Sequence, residues 1–164
     1  MVNDNLATKK TPKRLPFSGE YRPAGFLRRI GALVYDGFLM SALLFFAHIP
    51  LQLLFGTTVI SSENPWHFVY QLYLLGVCFW YFGWCWTRGQ TLGMRAWRIY
   101  LQGENGVYAT WWQAWIRFLS AMVSLAAFGL GFLWALVDRE HKSWHDRLSG
   151  TILIFSPPRP KSQP

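Results

Sequence analysis

Three long apolar runs alternate with polar, basic segments along this chain. Residues 1–25 are polar and Pro-containing, and read as a flexible basic arm. The first apolar run is Phe26–Phe55, with no formally charged residue from Gly37 to Ser62. The second covers about 66–86, and the third is Trp111–Val137. Runs of 18 or more apolar residues predict membrane-spanning helices. Pro50 is expected to kink or end the first helix. A polar turn at 56–65 separates it from the second. Between the second and third runs, Gly89–Gly93 reads as a turn into a basic amphipathic stretch, Met94–Ile99. There Arg95 and Arg98 would sit at the headgroups and Trp97 in lipid. Ile99–Gln102, the turn Gly103–Gly106 and Val107–Thr110 predict a small β-hairpin. A β-like run, Thr151–Phe155, precedes a Pro-rich tail at 156–164. The fold class this predicts is a polytopic all-α transmembrane protein with a small cytoplasmic β-hairpin or β-sheet element. One transmembrane domain would span 26–155.

Composition sharpens this picture. Of 164 residues, 52% are hydrophobic and only 15% charged, and ten are Trp. Trp favours membrane–water interfaces, where the ring is buried and the N–H stays wet. The formal net charge of +8 comes from Lys and Arg clustered outside or at the starts of the apolar runs, in residues 9–29, 88–117 and 139–161. That is the pattern of loops facing an anionic leaflet. No nucleic-acid recognition motif accompanies the charge, so nucleic acid is not an expected partner. The first apolar run is too long for a signal h-region and reads as an uncleaved anchor. Cys78 and Cys85 lie two helical turns apart, about 10 Å of axial rise, too far for a disulfide. They read as small buried hydrophobes.

The charged residues within or beside the apolar runs are the candidate chemistry. Asp36 lies inside the first run, where a carboxylate near the bilayer centre costs about 2.5–3.5 kcal/mol on insertion scales. It needs a partner, a cavity or a pathway. Arg29 is seven residues earlier, which is too far for a direct pair. Arg117, near the start of the third run, is the best-placed cation for Asp36. Asp138, His141, Lys142 and His145 recur at helical spacing. Two His without a third firm ligand are a weak metal motif, and a polar cytoplasmic plug built on His145 and Asp146 is the preferred reading. His145 beside a carboxylate is also a candidate pH sensor. No nucleophile elbow, phosphate loop or dinucleotide fingerprint is present, so neither an enzyme nor a cofactor is expected.

Topology poses a conflict. Basic residues place the N-terminus and the 88–110 segment in the cytoplasm. A single crossing at 111–137 would put Arg139, Lys142, Arg147, Arg159 and Lys161 outside, against the positive-inside rule. Two full crossings do not fit in that length. A broken segment bent near Gly129–Gly131 and returning to the cytoplasmic side is preferred over one crossing. It would let Thr151–Phe155 pair with the 99–110 element.

Three motifs together resemble the RDD family of small membrane proteins: Arg29-Ile-Gly-Ala-Leu-Val-Tyr-Asp36, Gly89-Gln-Thr-Leu-Gly93, and Asp138 with His145-Asp-Arg-Leu-Ser-Gly-Thr151. The resemblance implies an integral membrane protein named for one Arg and two Asp. Here these are Arg29, Asp36 and either Asp146 or Asp138. Met94 stands where the family pattern leads one to expect a basic residue at the headgroups. The expected function is transport of a proton, small cation or other ligand. Asp36 would act as the binding group, tuned by Arg29 and Arg117, with Asp138, His145 and Asp146 at the cytoplasmic mouth. So few helices would need a homo-oligomer or a membrane protein partner. The alternative is an accessory or scaffold protein whose buried charges are structural. The expected location is a bacterial inner membrane, multi-pass, with both termini cytoplasmic.

Overall fold

The computed structural model describes residues 22–56 and 64–156. Most of the expected basic arm, most of the 56–65 turn and the tail after Ser156 lie outside the described residues. Nine elements follow in order: β1 (Arg22–Pro23), α1 (Phe26–Phe55), α2 (His67–Thr87), α3 (Leu92–Ala96), β2 (Ile99–Gly103), α4 (Trp111–Ala126), α5 (Leu130–Val137), α6 (Trp144–Ser149) and β3 (Thr151–Phe155).

The α1 and α2 helices are long and apolar enough to cross a membrane. At 1.5 Å per residue, the 30 residues of α1 reach about 45 Å, more than the hydrocarbon core of a bilayer. Large side chains such as Phe38, Phe45, Phe46, Leu53, Phe68 and Trp80 face outward rather than into protein. That is the pattern of helices solvated by lipid. Pro50 does not end α1, which continues to Phe55. The proline removes one backbone donor, and the remaining bonds of an apolar helix face little competition from water.

The third apolar run is broken. The α4 and α5 helices meet at 97°, across a joint where Phe128 (φ 53°) and Gly129 (φ 79°) both take left-handed backbone. Gly131 serves another purpose than the bend. A Cβ there would come within 2.5 Å of the Ser124 hydroxyl and 3.0 Å of Trp144, so glycine lets α5 close onto α4 and α6. The α5 helix thus leaves α4 nearly at a right angle, the 138–143 segment brings the chain back so that α6 packs on α4, and β3 follows.

The strands form one antiparallel sheet in the order β1-β3-β2. Tyr100 pairs with Ile154, Leu101 with Leu153, and Arg22 with Phe155. The expected hairpin within 99–110 shrinks to a tight turn with a single bridge at Val107. Gly103–Gly106 does turn, with the Gly103 N–H donating to Val107 O at 2.9 Å, but the return segment enters α4 instead. Thr110 caps that helix in a reciprocal box with Gln113, so β3 takes the place alongside β2. Ile99, Leu101 and Leu153 join Ala24, Ala32, Trp86, Met94, Ala114 and Phe118 in a core beneath the sheet. This core brings together the start of α1, the end of α2 and the start of α4. Met94 is therefore a core side chain.

Candidate functional site

Two buried carboxylates organise this end of the molecule, and each is held differently. Asp36 is 4% exposed. One of its oxygens accepts the Gly93 backbone N–H at 2.8 Å, and the other accepts the Thr91 hydroxyl. The Tyr81 hydroxyl approaches at 3.4 Å. Thr91 in turn caps α3, its Oγ1 accepting from Met94 N–H at 3.1 Å. The Gly-Gln-Thr-Leu-Gly motif thus has a mechanical reading. Thr91 both caps the short helix and ties it to α1, and Gly93 lets the backbones touch. A Cβ on Gly93 would collide with Ala32 O and the Asp36 carboxyl. Trp97 closes the same joint by lying against Gly31, where again no Cβ fits.

The second carboxylate, Asp146, is fully buried between two arginines. Arg117 Nη1 donates to Oδ1 at 2.5 Å and Arg29 Nη1 to Oδ2 at 2.7 Å. The same carboxylate closes a capping box at the start of α6, accepting the Ser143 N–H at 3.1 Å. Arg117 also donates to Thr151 Oγ1 at 2.8 Å and lies over the Trp86 ring. Arg29 Nε donates to Ala24 O at 2.9 Å. One carboxylate therefore joins α1, α4, α6 and, through Thr151, the sheet. Burial alone would raise the Asp146 carboxyl, but the charges of Arg117 and Arg29, with the Ser143 hydrogen bond, hold it well below the usual carboxylate range.

The structure thus separates residues that the sequence analysis had linked. Arg117 does not meet Asp36. Its position on α4 places it against α6 and β3, whereas Asp36 faces α3. Arg29 and Asp146, 117 positions apart, do meet. Asp138, His141, Lys142 and His145 do not share a helical face, because His141 takes left-handed backbone (φ 54°) in the turn before α6. Asp138 instead accepts the Lys142 N–H at 2.9 Å and Arg147 at 2.5 Å. These contacts hold its carboxyl below the usual range. Lys142 bridges Glu104 at 2.9 Å and Glu140 at 3.0 Å.

His145 is corrected as a pH sensor. It is buried, one ring nitrogen lies 2.8 Å from Ser143 Oγ, and its ring packs on Phe132 at 4.6 Å. Burial, then the charge of Arg117, pushes its pKa down to about 3. It stays neutral across the physiological range. The residues missed from sequence were the hydroxyls. Thr91, Ser143, Ser149 and Thr151 are all buried, and Ser149 Oγ lies 2.7 Å from Thr151 Oγ1. The Ser143–Asp146 spacing was a readable capping signal. Thr151 carried no local signal.

A helical protein with two membrane-competent spans and a small sheet locked by buried Arg–Asp contacts is the class defined here. The chain belongs to the RDD family, whose profile matches residues 23–150. It is similar to the uncharacterized protein YckC of Bacillus subtilis (strain 168), 27% identical over 143 residues that cover 84% of this chain and 88% of YckC. No solved structure matches it.

Proposed function

We propose that this chain is a polytopic membrane protein that crosses the bilayer twice, through α1 and α2, and works as an accessory or scaffold for a membrane partner or a second copy of itself. The observation that carries the proposal is the use made of Asp146. A carboxylate gripped by two arginines and a capping N–H is an architectural bond, since releasing any partner strands a buried charge. Arg29 and Arg117 are then fasteners for the sheet end rather than groups facing a pathway. The exposed apolar faces of α1 and α2 supply the surface for lipid and partner. The basic residues at the sheet end support a cytoplasmic placement of that end.

One observation favours transport as a second reading. Among the described residues, Asp36 has no Lys, Arg or His within 4 Å and is held by neutral donors alone. A carboxylate of that kind can exchange a proton or bind a cation in an oligomer. Purified protein in liposomes under imposed proton, sodium and potassium gradients separates the two readings. The accessory reading expects no flux above protein-free vesicles. Flux that disappears in a folded Asp36→Asn variant would establish transport instead.

A further inference from the structure

A basic, aromatic patch on the membrane edge is not used by either carboxylate lock. It is built from α3 and its flanks. Arg95, Trp97 and Arg98 are exposed, Trp97 at 40%. Arg28 joins them from α1: its Nη1 reaches Trp97 O at 3.5 Å and its guanidinium lies 4.0 Å over the Phe155 ring. Arg98 adjoins the same strand end, its carbonyl accepting from Ser156 N–H at 3.2 Å. Among the described residues, none of these three arginines has an acid within 4 Å, whereas Arg29, Arg117, Lys142 and Arg147 are all paired. From Arg22 to Gly103 the described residues hold a single acid, Asp36, and it is buried. The acids Glu104, Asp138 and Glu140 lie with Lys142 and Arg147 instead.

The patch is also rigid. Asp36 fastens the α3 backbone through Gly93 and Thr91, and Trp97 is wedged on Gly31. The backbone that carries Arg95 and Arg98 on either side of Trp97 is thereby anchored at the polar end of the α1 helix, next to Arg28. Guanidinium forks match phosphate oxygens, and an indole at headgroup depth positions the glycerol region. We infer that this patch is a binding site for the headgroup of an anionic phospholipid. The inference rests on α1 and α2 lying in a bilayer and not on the choice between accessory and transport roles.

The test is native mass spectrometry of the delipidated full-length protein titrated with phosphatidylglycerol and, separately, phosphatidylcholine. Wild type is expected to prefer the anionic lipid. Arg95→Gln and Arg98→Gln should each lower that preference about fivefold, following about 1 kcal/mol per basic residue near an anionic surface. Both positions are exposed, so folding should survive. The double Lys variant should keep the preference, and Arg147→Gln on the acid-rich side should leave it unchanged. No preference in wild type, full preference in the double Gln variant, or an equal loss in Arg147→Gln would overturn the site. Displacement of the lipid by millimolar inorganic phosphate would overturn the lipid assignment. Solubility without detergent would instead remove the membrane reading itself.

Discussion

At the residue scale, the two aspartates illustrate how burial gives the same functional group different work. Asp146 neutralises two arginines and caps a helix, so its removal leaves like charges facing each other without water. Asp146→Asn should cost about 3–5 kcal/mol, a figure typical of breaking a buried pair from one side, read as a loss of unfolding free energy in detergent. Arg29→Gln should cost less, because Arg29 is the more exposed partner and Arg117 remains on the carboxylate. His145 supplies a pH signature of opposite origin to a sensor. Its folded pKa, about 3, lies below its ordinary value of 6.5. The unfolded chain therefore binds a proton over that window while the folded chain does not. Stability from this group is complete above pH 6.5 and falls as pH drops toward 3, by up to about 1.4 kcal/mol per unit. Asp146, whose carboxyl is also depressed, adds a loss only below the ordinary carboxylate range. Unfolding of His145→Gln between pH 7 and 5 should show a flatter slope than wild type. An unchanged slope would contradict a buried neutral imidazole.

At the element scale, glycines on two packed helices, α3 and α1, separate contact from conformation. A methyl group at Gly93 meets Ala32 O and the Asp36 carboxyl, while the same group at Gly37 meets nothing within 4 Å. Gly93→Ala should therefore undock α3 and destabilise by about 1–3 kcal/mol, as overpacking does. Gly37→Ala should be neutral or stabilise α1 by up to about 1 kcal/mol, through helix propensity. Thermal unfolding in detergent, with protease access at the 88–98 segment, distinguishes them. The short α3 shows why the two motifs belong together. Five residues cannot hold a helix in isolation; a threonine cap and a distant carboxylate hold this one.

At the scale of the whole molecule, the sheet constrains the path of the chain. Strands from before α1, after α3 and after α6 lie side by side. The start of α1, the end of α2 and both ends of the α4–α5–α6 segment therefore gather at one end. If α1 and α2 cross the bilayer, the bent α4–α5 pair enters and leaves on that same side. A single Cys at Ser156, in a background lacking Cys78 and Cys85, should be labelled by a membrane-impermeant reagent from the same side as a Cys at Arg95. Labelling from opposite sides would contradict this arrangement.

The linear pattern determined a good deal unaided. Apolar run length specified α1 and α2 to within a residue or two, because a helix that must satisfy its own backbone in oil leaves little freedom. The turn at Gly103–Gly106 and the strand Thr151–Phe155 were legible from local residue chemistry, while Arg29 and Asp36 came with the family resemblance, which left Asp146 and Asp138 both open. Only tertiary structure decided which partner each charge took. Spacing along one helix left Asp36 with Arg117 as the nearest candidate, but the fold-back of α4–α5 carried α6 onto α4 and delivered Asp146 to both arginines. It also laid β3 beside β2, the pairing that the expected break near Gly129–Gly131 allowed, although the hairpin expected within 99–110 gave way to it. Helices report their periodicity to a reader of sequence; ion pairs between segments a hundred residues apart depend on where the chain turns back.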